Sequence, residues 1–128
     1  MLTMAVIKQI AARAVDTAGE IPSAMCIAIV DSGANLVYFE RMDGAMIGSI
    51  EASIKKARCA VLYKRPTKVF EEMLAGGRIA ILSLPEVMPI EGGVPLTVDG
   101  AIEGAIGVSG GTAQQDGTVA NAAAGFIR

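Results

Sequence analysis

The chain has 128 residues, of which 52% are hydrophobic and 19% charged, and this length predicts a single domain over residues 1–128 with a core of its own. Its net charge of −2 and its five aromatic residues, two Tyr and three Phe, exclude a basic or base-stacking surface for nucleic acid. The chain contains no histidine, which removes the usual general base and the commonest metal ligand. Serine–histidine and zinc hydrolases are therefore excluded, and no metal site is predicted.

The hydrophobic residues do not form a membrane span, because no apolar run approaches the roughly 18 residues that a span requires. Lys8, Arg13 and Asp16 interrupt the first apolar stretch, which argues against a signal peptide. We therefore predict a cytoplasmic protein without a membrane partner. So hydrophobic a chain is expected to bury its excess apolar surface between sister subunits, in a homo-oligomer.

The first predicted elements are an amphipathic helix and a hairpin. Apolar residues recur at helical spacing over residues 3–18, and Thr3 is suited to the N-cap. Residues 24–30 form an apolar run typical of a buried strand, residues 31–35 have turn composition, and residues 36–41 supply a partner strand.

Two helices are predicted next. Ser49 is the expected N-cap of the first, which ends before Pro66 because proline disfavours helical geometry at the preceding residue. Thr67 is the expected cap of the second, over residues 68–75. Residues 78–89 are ambiguous, and we predict a helical turn followed by an extended segment from Val87.

A second hairpin is predicted at the centre of the sheet. Asp99 and Gly100 separate the strands 94–98 and 101–108, and Asp-Gly favours a type I′ turn, in which both central residues have positive φ. Gly104 and Gly107 in the return strand indicate close approach by a bulky group or another backbone. Thr112 is a suitable cap for a last helix over residues 114–127. The fold class is therefore α+β, with one antiparallel sheet of about five strands covered by helices on at least one face.

Three local features are candidates for ligand binding, each with a plain structural alternative. Gly92-Gly93 and the stretch 109–112 expose backbone N–H groups to an anion or provide turn and cap geometry. Arg41 and Asp43 contact a ligand or form a salt bridge within their loop. The basic residues from Lys55 to Arg65 have two interpretations, since they could bind the carboxylates of an acidic ligand or form a solvated face.

Cys26 and Cys59 have no CxxC spacing and are expected to be buried structural residues.

Several motifs resemble a known family: RMDGA, KAR, RPTK, LPEVMPIEGGVP and GAIGVSG. Together they are similar to the small haem-degrading, HbpS-like proteins, also called GlcG-like, over nearly the whole chain. The resemblance implies a profilin-like α+β fold and assembly into homo-oligomers, from dimers up to octamers. It also implies binding of haem, with haem degradation in some members, and a setting among genes for glycolate and diol breakdown.

The resemblance also implies roles for individual residues. Thr67, in the RPT motif, matches the position proposed to approach the iron in a haem-binding relative, and Lys56 and Arg58 are placed to hold the propionates. Gly92 and Gly93 match family-typical positions, as do Arg41 and Asp43. Some relatives direct a histidine toward iron, and this chain departs from them because it has none.

Three functional hypotheses follow. The first is an oligomeric small-molecule-binding protein whose ligand is haem or another acidic cofactor. The second is a cofactor-independent lyase or isomerase acting on a small carboxylic acid, with aromatic acids included, in a catabolic pathway. In that case Arg41 or Arg58 anchors the carboxylate, and Asp43, Glu51 or Glu91 moves the proton, provided that burial favours its protonated form. The third is a structural partner of neighbouring catabolic enzymes.

Overall fold

The structure, a computed structural model, describes residues 1–127. The chain begins with helix α1 (Met4–Ala18) and the strands β1 (Cys26–Asp31) and β2 (Leu36–Arg41). Two helices follow, α2 (Gly48–Tyr63) and α3 (Thr67–Ala75), and then a 3-10 helix (Ile79–Ser83). The last elements are β3 (Gly93–Val98), β4 (Ala101–Ser109) and α4 (Ala113–Ala124). In residues 1–127 no helix is both long enough and apolar enough to cross a bilayer.

The strands form one antiparallel sheet in the order β2-β1-β4-β3, which confirms the α+β class and the single sheet. The sheet has four strands where about five were predicted, because the segment after Val87 is not a strand. Pro85 and Pro89 flank that residue, and a proline has no N–H to give to a strand ladder. The second hairpin has the predicted turn, with φ of 51° at Asp99 and 80° at Gly100. This hairpin was predicted to lie at the centre of the sheet, but only its strand β4 does so, since β3 is an edge strand.

Helices cover both faces of the sheet. On one face α1 and α4 pack over Ile27 and Ile29 of β1 and over alternate residues of β4. On the other face α2 packs over Ala28 and Val30, together with Ala105. Because side chains alternate along a strand, the continuous apolar run of β1 is explained by burial on both faces.

The contact between α2 and β4 is close because β4 has glycine where the helix crosses it. A Cβ atom at Gly107 would lie 2.6 Å from the backbone nitrogen of Ala57 and would overlap the carbonyl oxygen of Ser53. Both belong to α2, one helical turn apart. The close backbone approach predicted at Gly107 is therefore confirmed, and α2 is held at a fixed position over the sheet.

The helix starts differ in how well their caps were predicted. Thr3 and Thr112 are N-caps as predicted, and Thr112 forms a full capping box with Gln115. The prediction for Ser49 is wrong, since α2 begins at Gly48 and the Ser49 side chain is buried. The prediction for Thr67 is also wrong, because Thr67 is the first residue inside α3 and its hydroxyl bonds to another element.

The cap of α4 gives a direct test of this assignment. Thr112→Ala is expected to lower the free energy of unfolding by about 1 kcal/mol, because the backbone N–H of Gln115 loses the hydroxyl that accepts its hydrogen bond. Urea denaturation followed by circular dichroism measures the change. The matched control is Thr118→Ala in the exposed middle of the same helix, where a change within about 0.5 kcal/mol is expected. Equal losses at the two positions would contradict the capping role.

Candidate functional site

A lysine is buried at the junction of α2, β4 and α4. Lys56 on α2 has 2% of its surface exposed, and its ammonium donates to the carbonyl of Val108 (3.0 Å) and to Oδ2 of Asp116 (3.1 Å). The other oxygen of Asp116, Oδ1, accepts from the backbone N–H of Gly111 at 2.8 Å. A buried charge is tolerated only where it is paired and hydrogen-bonded, and both members of this pair meet that condition. The pair therefore ties α2 to β4 and α4.

Thr67 and the Gly92-Gly93 pair lie against this lysine. The hydroxyl of Thr67 accepts from the backbone N–H of Gly93 at 2.9 Å, and none of the Thr67 surface is exposed. A Cβ atom at Gly93 would lie 2.7 Å from Cγ2 of Thr67, and one at Gly92 would lie 2.9 Å from the ammonium of Lys56. We call Lys56, Thr67, Gly92, Gly93 and Asp116 the interior polar cluster.

The interior polar cluster contains four of the six residues predicted to bind a ligand. The structure brings them together, but they contact one another inside the protein and are closed to solvent. The Thr67 hydroxyl in particular is occupied by Gly93 rather than directed outward. What the arrangement shows is a structural role, and a contact of these residues with a ligand stays a prediction.

A surface cavity of about 330 Å³ lies beside α2 and is lined by Lys55, Glu86 and Val87. We call it the surface cavity. Its volume is at the lower end of the range of small-molecule sites. Within residues 1–127 no carboxylate lies within 4.0 Å of the exposed Lys55 ammonium. One edge of the cavity therefore presents a cation to solvent.

Arg58, one helical turn after Lys55, is bound to the carboxylate that lines the surface cavity. Its Nε and Nη2 donate to the two oxygens of Glu86 at 3.4 and 3.3 Å. Its Nη1 donates to the carbonyl of Ala34 at 2.7 Å. Glu86 itself has φ of +63°, in the left-handed region that non-glycine residues adopt rarely and at a cost in energy. The surface cavity is therefore lined by one cation, Lys55, and one carboxylate, Glu86, and a second cation, Arg58, is held beside it through that carboxylate.

Arg41 lies away from the surface cavity. It is at the end of β2 opposite the turn that contains Ala34, where Arg58 is anchored. The guanidinium of Arg41 donates from Nε (3.3 Å) and Nη2 (2.9 Å) to the carbonyl of Ala45. No salt bridge joins Arg41 to Asp43 in the part of the chain that the structure describes. Arg41 and Arg58 thus lie at opposite ends of the first hairpin.

The three carboxylates considered for proton transfer lie in different settings. Asp43, in the loop after β2, and Glu51, in the first turn of α2, are both exposed and therefore lack the burial on which the enzyme hypothesis depends. Glu91 is half-buried, and its carboxylate lies over Gly117 of α4, where a Cβ atom would be 2.6 Å from Cδ of Glu91. Its backbone N–H donates to Glu71 at 3.0 Å. Of the three, only Glu91 has the partial burial that the enzyme hypothesis requires.

The two cysteines are free and buried. Burial raises the pKa of the Cys26 thiol, and the charge of Arg41 opposes that shift in part. Burial also raises the pKa of the Cys59 thiol, against the backbone N–H of Met88, which donates to its sulfur at 3.3 Å. A raised pKa disfavours the thiolate, which is the nucleophilic form. Both residues are therefore structural, as predicted.

A second cavity, of about 340 Å³, lies on the other side of the sheet, along α1 and beside the end of the chain. It is more open to solvent than the surface cavity and is lined by Gln9, Ala12, Arg13, Asp16 and Phe126. None of the predicted site residues contributes to it.

Sequence reasoning missed the partners that define both sites. Asp116 follows the Thr112 cap and was assigned only to a helix, and Glu86 was assigned to an ambiguous segment. The signal for Asp116 was its position in the first turn of a helix, where carboxylates are favoured. Nothing local marked Glu86, because its left-handed backbone and its pairing with Arg58 depend on a distant element.

Comparison with known proteins found one matching family model, a similar curated protein and similar solved structures. The family model described as "Haem degrading protein HbpS-like" matches residues 2–125. Protein GlcG of Escherichia coli strain K12 is 41% identical over 114 residues, which cover 85% of each chain. The crystal structure of the Klebsiella pneumoniae protein ORFY superposes with a TM-score of 0.90 at 31% identity, covering 97% of this chain and 88% of that one. The crystal structure of the PduOC–haem complex has a TM-score of 0.89 at 28% identity, covering 99% of this chain and 95% of that one.

Proposed function

The chain belongs to the family of HbpS-like haem degrading proteins, and from this membership we propose that it binds haem or a similar acidic cofactor. The observation that carries the proposal is the similarity to PduOC, which was solved as a complex with haem and matches this chain over 99% of its length. Matching over that length means that the elements surrounding the surface cavity have counterparts in a haem-bound protein.

The charges at the surface cavity support binding of the carboxylates of such a ligand. Lys55 and Arg58 are cations one turn apart on α2, so their heads point to the same side of the helix. Arg and Lys are natural partners of carboxylates, and a pair of them matches the two propionates of haem. Val87 supplies apolar lining to the same cavity.

The same residues do not fit the iron of haem. The chain has no histidine, the Thr67 hydroxyl is turned inward to Gly93, and the Cys59 sulfur is buried beneath Met88. We therefore propose recognition through the carboxylates and the porphyrin surface, and we derive no step of haem degradation. The lyase hypothesis has weaker support, because two of its three candidate acids, Asp43 and Glu51, are exposed.

We also propose that the protein acts as a cytoplasmic homo-oligomer. Large apolar side chains are exposed in residues 1–127, among them Met46 (65%), Ile47 (76%) and Ile79 (69%). Exposed apolar residues of this size are typical of surfaces that another subunit covers. The mass of the native complex, measured by light scattering and native mass spectrometry, tests the assembly, and a monomer at all concentrations would contradict it.

Titration with haemin, followed at the Soret band, tests the binding proposal. We expect saturable binding by the wild type and a loss of affinity of about three- to ten-fold in Lys55→Gln and in Arg58→Gln, because each substitution removes one charged partner of a carboxylate. The matched control is Lys8→Gln on α1, across the sheet from the surface cavity, where the affinity should not change. A linear, unsaturable titration of the wild type would contradict haem binding. Equal losses in all three variants would instead assign the effect to net charge.

A further inference from the structure

The surface cavity contains a carboxylate of its own, where the proposed ligand would have to place one. Glu86 lines the cavity, and its two oxygens face the Nε and Nη2 edge of Arg58. That edge is the side of a guanidinium that binds a carboxylate in two parallel hydrogen bonds. In the structure Glu86 therefore occupies the position on Arg58 that suits a ligand carboxylate best.

The contact between Glu86 and Arg58 is loose and solvent-accessible. Its distances of 3.3 and 3.4 Å exceed the 2.7–2.9 Å typical of charge-assisted hydrogen bonds, and the two side chains are 45% and 34% exposed. Ion pairs with this exposure contribute little to stability. Little free energy therefore opposes its displacement.

Arg58, in contrast, does not depend on Glu86 for its position. Its Nη1 donates to the carbonyl of Ala34 at 2.7 Å, so the guanidinium has a second, shorter anchor on the backbone. The backbone of Arg58 belongs to α2, and the close contact at Gly107 fixes the position of that helix over β4. When Glu86 moves away, the binding edge of Arg58 stays where it is.

We infer that Glu86 is an internal competitor for Arg58, which the carboxylate of a ligand displaces. The inference rests on the proposed function, since it assigns a specificity-determining residue to the same site. Displacement of Glu86 favours ligands that carry a carboxylate or a similar oxyanion, because such a group replaces both hydrogen bonds that Arg58 loses. Its own negative charge lowers the affinity for every anionic ligand until it moves.

Glu86→Gln tests the inference, because the amide keeps the size of the side chain and removes the charge that competes. Haemin is expected to bind Glu86→Gln about three- to ten-fold more tightly than the wild type. Haemin dimethyl ester, in which both propionates are esterified, should bind the two proteins equally. When Arg58→Gln is already present, adding Glu86→Gln should increase haemin affinity much less than it does in the wild type. Glu20→Gln, an exposed change of the same charge outside the surface cavity, should leave haemin affinity unchanged.

The outcomes separate this inference from the proposal on which it rests. Binding of haemin by the wild type with equal or weaker binding by Glu86→Gln would overturn the inference alone. A gain that extends to the dimethyl ester would also overturn it, because Glu86 would then be a steric obstacle rather than a competitor for Arg58. A flat haemin titration in both proteins would overturn the proposed function and the inference with it.

Discussion

Lys56→Ala is expected to lower the free energy of unfolding by about 3–5 kcal/mol. Removal of the ammonium leaves the carboxylate of Asp116 buried at 2% exposure, and within residues 1–127 its remaining partner is the backbone N–H of Gly111. An unpaired buried charge is far more costly than the loss of the pair as a whole. Urea denaturation followed by circular dichroism measures the change.

Two further variants establish that the loss comes from the orphaned carboxylate. The double substitution Lys56→Met with Asp116→Leu should recover most of the stability, since it removes both charges and fills the space with apolar atoms. Lys55→Ala, at the exposed neighbouring lysine, should change stability by less than about 0.5 kcal/mol. A loss below about 1 kcal/mol in Lys56→Ala would contradict the pairing. Haemin binding by the folded double variant with wild-type affinity would also remove Lys56 from the ligand-binding residues.

Gly107→Ala is expected to destabilise the protein by about 3 kcal/mol or more, and to prevent folding if the free energy of unfolding of the wild type is smaller than that loss. The added methyl group would overlap the backbone of α2 at Ser53 and Ala57, and a backbone yields less easily than the end of a side chain. Relief of the overlap requires α2 to move off the sheet, which opens the layer packed over Ala28 and Ala105. Thermal and urea denaturation measure the loss.

Gly48→Ala is the matched control for that substitution. Gly48 is the first residue of the same helix, it is exposed, and nothing lies within 4 Å of the position of its added Cβ atom. Alanine is the better helix former, so a gain of about 0.5–1 kcal/mol is expected there. Similar stabilities for Gly107→Ala and the wild type would show that α2 does not approach β4 as closely as the structure has it.

Local signals in the sequence were sufficient for most of the elements. The Asp99-Gly100 turn, the caps at Thr3 and Thr112, and the continuous apolar run of β1 each depend on residues within a few positions of one another. Their effects do not require knowledge of the rest of the fold. For the same reason Gly107 was recognised as a point of close approach, although nothing in the sequence identified α2 as the element that approaches it.

The errors lie where a side chain is governed by a distant partner. Lys56 was grouped with surface cations because it stands among polar neighbours on a helix, and its partner Asp116 lies 60 residues further along the chain. Thr67 is a residue type that is common at N-caps, but its hydroxyl accepts a hydrogen bond from the backbone N–H of Gly93, which belongs to another element. The prediction of a fifth strand was wrong for a related reason. Residues after Val87 were expected to be extended, but their local sequence does not indicate whether another strand lies beside them to pair with.

The order of the strands has a consequence for synthesis of the protein. β1 pairs with β4, so that Cys26 faces Ser109, and the two strands at the middle of the sheet are made far apart in time. While the ribosome is still producing the later residues, the first hairpin exposes a hydrophobic edge that has no mate. A nascent chain with such an edge is open to pairing with other nascent chains, and early release or slow elongation would therefore favour aggregation of this protein.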